Sequence, residues 1–172
     1  MESNAFPNAH MRIHAARIRL VLFDVDGVMT DGGVYYGAEG EVLKRFHVHD
    51  GHGVKLLRSA GILVAAISGR HSLMTERRLT ELGFDAIEQG DDSKLPVAEK
   101  LMQRFACNWA EVAAMGDDVP DLPLLRNAAI AVAPANAVVT VRNVVHWVTA
   151  EAGGAGAVRA FADGLLRARE SG

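Results

Sequence analysis

From Ile18 onward, short apolar runs alternate with amphipathic stretches, and no other feature constrains the fold of this chain as tightly. Ile18 to Phe23 is apolar apart from Arg19 and ends at an aspartate, which reads as a buried strand. Gly53 to Ser59 sets Val54, Leu56 and Leu57 at helical spacing, with Gly61 as a stop. Ile62 to Ile67 is a second strand, His71 to Leu82 a helix closed by Gly83, and Phe84 to Glu88 a short third strand. Ser93 to Ala106 reads as a helix that tolerates Pro96 in its first turn. Val112 to Met115, Ala129 to Ala133 and Val144 to Val148 complete the strands, and a helix from about Ala155 to Arg169 closes the chain. This alternation predicts the α/β class: a doubly wound, Rossmann-like parallel sheet with helices on both faces.

One stretch breaks the pattern. Val34-Tyr35-Tyr36 and Val42 to Val48 flank Gly37 and Gly40, which predicts a protruding β-hairpin over residues 33–48. It carries Tyr35, Tyr36, Leu43 and Phe46, so either another copy of the chain covers it or it folds back on its own core. Trp109 and Trp147 are expected in the core or an interface.

A length of 172 residues points to one domain, here taken as 18–172 with a tail over 151–172. Residues 1–17 hold Pro7 and two histidines but lack the apolar core of a signal peptide, and are expected to be a loose extension. The net charge of -3 offers no basic footprint for nucleic acid. No apolar run approaches the ~20 residues of a membrane span. The single cysteine, Cys107, cannot form a disulfide within the chain, which fits a reducing cytoplasm.

In an open parallel sheet, ligands sit beyond the carboxyl ends of the strands. Asp24 and Asp26 follow the first strand, Ser68 the second, and Asp117, Asp118 and Asp121 the fourth, while Lys94 opens a helix leading to the same edge. Any one of these aspartates alone is more often a helix cap or turn residue than a ligand. Together they are harder to explain as caps. Crowded carboxylates do not all stay ionised without a cation, and an all-oxygen donor set suits Mg²⁺. A carboxylate can attack phosphorus, an ammonium and a hydroxyl can hold the phosphoryl oxygens, and a second carboxyl two residues on can serve the leaving group as acid and then base. His47, His49 and His52 also cluster, but strand spacing does not make a tetrahedral cage of them.

The run Asp24-Val25-Asp26-Gly27-Val28-Met29-Thr30, then Ser68, Lys94 and Gly116-Asp117-Asp118-Val119-Pro120-Asp121, resembles in order the four motifs of the haloacid dehalogenase-like phosphatases. The resemblance implies Asp24 as nucleophile and Asp26 as acid/base. It implies Asp24, Asp117 and the Asp26 carbonyl as Mg²⁺ ligands, Asp118 and Asp121 as residues that orient metal-bound water or Lys94, and Ser68 and Lys94 on the phosphoryl group. The interval from Asp24 to Ser68 is used up by a hairpin and a helix, so no cap domain is expected. Thr30-Asp31-Gly32, His49-Asp50-Gly51-His52-Gly53, Ser68-Gly69-Arg70 and Gly153 to Arg159 are similar to the 3-deoxy-D-manno-octulosonate 8-phosphate phosphatases. That family is capless, tetrameric and acts in the supply of a lipopolysaccharide sugar acid. It implies a small phosphorylated sugar acid as substrate, touched by His47, Val48, His49, Asp50, Gly51, Arg70, Arg78, Lys94 and Arg159, with the glycine-rich tail reaching a neighbouring site. Two positions depart from the family's pattern. Lys55 stands where an arginine is expected and would contact substrate without the planar fork, and Ala160 follows Arg159 where an acid is expected. Arg70 separates this chain from relatives that act on nine-carbon acylneuraminate or deaminoneuraminate 9-phosphates and carry Glu there. A signalling receiver domain is a rival of another class, but it places its adjacent acidic pair after strand one. A non-catalytic subunit would be expected to lack Asp24 or Asp26.

Overall fold

The computed structural model describes residues 8–170. Helix α1 spans Ala9–Ala15, with the Asn8 side chain accepting the Met11 N–H at 2.9 Å. Met11 and Ala15, one turn apart, are fully buried. The expectation of a loose extension over 1–17 is therefore corrected for residues 9–15; residues 1–7 lie outside the described residues. Two apolar side chains on one face suffice to seat a short helix, and so few give little periodicity to read.

Strand β1, Leu20–Phe23, is buried throughout. The hairpin follows as β2, Tyr35–Gly37, and β3, Gly40–Leu43, paired antiparallel and apart from the main sheet. Helix α2 runs Val48–Ser59, strand β4 Leu63–Ser68, helix α3 Leu73–Leu82 and strand β5 Ala86–Gln89. Then come α4, Lys94–Phe105, β6, Val112–Met115, α5, Leu122–Asn127, and β7, Ile130–Ala133. A short α6, Val139–Arg142, leads to β8, Trp147–Val148, and to α7, Ala157–Glu170. No described helix is long and apolar enough to cross a membrane.

The six main strands form one sheet in the order β5-β4-β1-β6-β7-β8, and every neighbouring pair is parallel. Side chains alternate between its faces. Val21 and Phe23 join one core with residues of α1, α2, α3 and α7, while Leu20 and Leu22 join a second with residues of α4, α5 and α6. Phe23 meets Phe161 of α7 edge-on, with ring centroids 5.9 Å apart. The chain runs outward from β1 through β4 to β5, then returns to β6 on the other side of β1. The loops after β1, β4 and β6 therefore part around one crevice, the usual ligand position in such sheets.

Three expectations change. The second hairpin strand ends at Leu43 rather than Val48, and α2 starts at Val48, so His49 and His52 lie on a helix. The helix expected from Gly53 takes in Gly51 as well, and both glycines are pressed on by neighbours. A Cβ on Gly53 would lie 3.0 Å from Arg159 Cα, and one on Gly51 2.7 Å from Arg78 Nη2. Finally, Gly153 and Gly154 do not reach away from the chain. A Cβ on Gly153 would collide with the backbone of Gly27 and Thr30 and one on Gly154 with that of Thr30 and Asp31, and the Gly154 N–H donates to Val28 O at 3.1 Å. The glycine-rich segment is thus clasped to its own β1 loop, since only residues without side chains allow backbones to approach so closely.

Candidate active site

The residue after β1, Asp24, is the first beyond the sheet, and its N–H still donates to Met115 O of β6 at 3.0 Å. That bond aims the buried carboxylate into the crevice. Lys94, the first residue of α4, reaches in from the side. Its Nζ lies 2.6 Å from Asp24 Oδ1 and 2.5 Å from Asp121 Oδ1. Only 5% of Lys94 is exposed, so this is no solvated surface lysine. Asp121 Oδ2 accepts the N–H groups of Asp117 at 2.9 Å and Asp118 at 3.2 Å, which folds the loop after β6 into a tight turn. Gly116 has no side chain because a Cβ would strike Asp121. Asp118 accepts the Val119 N–H at 2.7 Å and is exposed, so the cap reading holds for this aspartate.

Carboxylate oxygens of Asp24, Asp117 and Asp121 all lie within 4.8 Å of one another. Burial pushes Asp24 well above the usual carboxylate range, Asp121 pushes it further, and Lys94 pulls back. Asp117 is pushed up to about 7, first by burial, then by Asp121 and Asp118. Burial alone would lower the Lys94 ammonium, but the charges of Asp24 and Asp121 outweigh it and the net shift is upward. One ammonium thus faces three carboxylates. This deficit of positive charge, on hard oxygen donors, fits a divalent cation such as Mg²⁺.

Asp26, Ser68, Gly69 and Arg70 complete the rim of a cleft of about 220 Å³. The Ser68 hydroxyl donates to Arg70 O at 3.1 Å. A cleft this size holds a phosphoryl group and the first atoms of an ester, but not a whole eight-carbon acid.

The other expected substrate contacts do not line this cleft. Asp50 is 1% exposed and caps α7: its oxygens accept the Arg159 N–H at 2.9 Å and the Gly156 N–H at 3.2 Å. Its assignment as a substrate contact is corrected to this architectural one. The Arg159 side chain is bound to Asp163 at 2.8 Å. Lys55 lines a separate groove with Arg58 and Glu81, and Arg78 lies 3.6 Å from Glu81. His47 is half-buried, Val48 and His49 are exposed, and Gly51 faces Arg78.

Sequence reading missed several residues at the site. Asn136 donates to Gly27 O at 3.1 Å and accepts the Gly153 N–H at 2.6 Å, bolting the clasp to the β1 loop. Lys44 and Glu41 of the hairpin reach Asp26 and Arg70. An asparagine in a loop and charges on and beside a hairpin strand carry no signal that separates them from surface residues.

A capless doubly wound sheet with this arrangement defines a class, the haloacid dehalogenase-like hydrolases, and residues 84–161 match the family of that description. Over 156 residues the chain is 41% identical to the 3-deoxy-D-manno-octulosonate 8-phosphate phosphatase of Yersinia pestis, covering 91% of this chain and 83% of that one. It belongs to that phosphatase family. The structure of the Moraxella catarrhalis 3-deoxy-D-manno-octulosonate 8-phosphate phosphatase, in complex with magnesium ion, phosphate ion and the KDO molecule, superposes with a TM-score of 0.90 at 37% identity, covering 94% of this chain and 92% of that one. A probable phosphatase from Pseudomonas syringae gives 0.92 at 40% identity, with the same coverage.

Proposed function

We propose that this chain hydrolyses 3-deoxy-D-manno-octulosonate 8-phosphate to the free sugar acid and phosphate. The observation that carries the reading is the Asp24 carboxylate, held by Lys94 at the floor of the cleft and crowded by Asp117 and Asp121. An oxygen of Asp24 attacks phosphorus as the ester P–O bond breaks, and Asp26 gives its proton to the departing sugar oxygen. Lys94 and Ser68 hold the phosphoryl oxygens through the transfer. Asp26 then takes a proton from the water that attacks phosphorus, the Asp24–phosphorus bond breaks, and phosphate leaves. Asp24, Asp117 and the Asp26 carbonyl would hold Mg²⁺, which supplies charge neutralisation on the phosphoryl oxygens.

Arg70, at the rim, offers a guanidinium to the carboxylate of the sugar acid. The cleft leaves most of such a substrate uncovered. Tyr36, Val42 and Leu43 of the hairpin are 67%, 60% and 54% exposed. These two features support a homotetramer in which the hairpin is covered and a neighbour completes the site, with His47, His49 and Arg78 as candidates to face a neighbouring substrate. The reading places the enzyme in the cytoplasm, in lipopolysaccharide precursor synthesis.

The test is phosphate release from a panel of sugar-acid phosphates, with and without Mg²⁺, in wild type and Asp24→Asn. A preference of about tenfold or more for the eight-carbon acid, a requirement for the metal and a dead variant are the expected results. Preference for nine-carbon acids would overturn the reading of Arg70. Activity in Asp24→Asn would overturn the mechanism. Light scattering on the purified chain reads the tetramer directly.

A further inference from the structure

Asp26 sits in a closed ring of alternating charge that no motif describes. Asp26 Oδ1 accepts from Lys44 Nζ. Lys44 Nζ lies 3.6 Å from Glu41 Oε1, which accepts from Arg70 Nη2 at 3.3 Å. Arg70 Nε returns to within 3.8 Å of Asp26 Oδ2. The ring joins the β1 loop, the hairpin and the β4 loop. It is anchored to α3, because Glu41 Oε2 accepts from the Ser72 hydroxyl at 2.6 Å and that hydroxyl caps the helix by accepting the Thr75 N–H.

Ion pairs between exposed side chains are worth little. Here the Lys44 side chain is 3% exposed and that of Glu41 13%, and burying an ammonium is costly unless its partners are well placed. Among the described residues, Asp26 Oδ2 is buried and has no hydrogen-bond partner, whereas Oδ1 is taken by Lys44. Lys44 therefore fixes the plane of the Asp26 carboxyl through Oδ1.

We propose that Lys44, reaching across from the hairpin, is a positioning residue for the proton transfer made by Asp26. This rests on the reading of Asp26 as the acid. As the ester P–O bond breaks and the Asp24–phosphorus bond forms, the proton on Asp26 passes to the sugar oxygen. The positive charge of Lys44 stabilises the carboxylate that this transfer leaves behind. The hairpin is then part of the catalytic apparatus of its own chain, whatever else covers its outer face.

The test is a leaving-group series. kcat/KM reports only steps up to loss of the leaving group, so it isolates this transfer from the later attack of water. Wild type, Lys44→Met and Lys44→Arg are compared on phosphate monoesters running from alkyl alcohols, which need a proton to leave, to nitrophenol, which does not. Lys44→Met is expected to lose about tenfold to a hundredfold on alkyl esters and roughly tenfold less than that on the nitrophenyl ester. Lys44→Arg should recover most of the alkyl loss. Equal losses on both esters, no loss on either, or an arginine variant no better than the methionine variant would overturn the proposal. Should Lys44→Met fail to fold, the pair Lys44→Met with Glu41→Gln removes both charges and is read against the same series. Asp24→Asn runs in parallel: activity in it overturns the parent reading, while the slope across esters judges Lys44 alone.

Discussion

Two buried aspartates stand at opposite ends of the question of what makes a site. Asp24 closes β1 and Asp50 lies in the first turn of α2; burial raises both carboxyls. At Asp50 the opposing influences are chiefly the fixed backbone N–H groups of Arg159 and Gly156, with the charge of His47 behind them; they offset part of the burial, and no second carboxylate crowds the group. At Asp24 the neighbours are two further carboxylates and one ammonium, and the account does not balance without another cation. Burial alone does not mark a functional acid. A shortage of counter-charge does, since a structural site has no reason to leave one.

The contrast breaks most sharply if Asp24→Asn retains turnover. We expect a loss of at least about a thousandfold, with a thermal midpoint in metal-free buffer no lower than wild type, because one of three crowded charges has gone. Asp50→Ala should do the reverse. Losing the cap of α7 costs about 1–2 kcal/mol, read as a lower urea midpoint, and turnover should fall only as folded protein is lost.

A smaller effect sharpens the electrostatic half. Without metal, the Asp117 carboxyl holds its proton up to about 7, against an ordinary value of 3.8. A raised carboxyl contributes its stability at low pH and loses it as pH rises through 7. Mg²⁺ must displace that proton, so its stabilising increment should be about 1 kcal/mol larger at pH 8 than at pH 6. Calorimetry with and without Mg²⁺ at the two values checks it; an increment that does not change would mean Asp117 is not at the metal.

The smallest effect extends the architectural half. His146 accepts the Ala131 N–H on Nδ1 at 2.8 Å and stacks on His10 of α1, with ring centroids 3.8 Å apart. Burial, then His10 and His14, lower it to about 4 from an ordinary 6.5. Its contribution is complete above 6.5 and is lost as pH falls toward 4. Discounted for its partly exposed ring, that is about 1 kcal/mol between pH 7 and pH 5. His146→Asn, which keeps an acceptor and cannot protonate, should flatten the stability curve over that range.

The site was legible where chemistry follows topology. A polar residue directly after a strand of an open parallel sheet must lie on the ligand edge, so Asp24, Ser68 and Asp117 could be gathered from their places in the chain. Asp50, Gly51 and Gly53 were not legible, because what decides them sits on α3 and α7, far along the sequence. Glycine in a helix is disfavoured locally, and only the need for close approach by another helix reverses that preference. Lys44 and Glu41 were hidden for a related reason. Glu41 lies on a short, half-exposed strand and Lys44 just past its end, and charged residues there look like solvated ones until the loops from β1 and β4 come beside them.

The glycine clasp has a consequence for synthesis. The β1 loop leaves the ribosome early, yet Gly153 and Gly154, whose backbone holds it, are made only after most of the chain. At the usual pace of translation, about 5–20 residues per second, the loop bearing Asp24 waits several seconds without its partner. The loop that follows Asp24 therefore cannot take its final packing until the segment leading into α7 has been made.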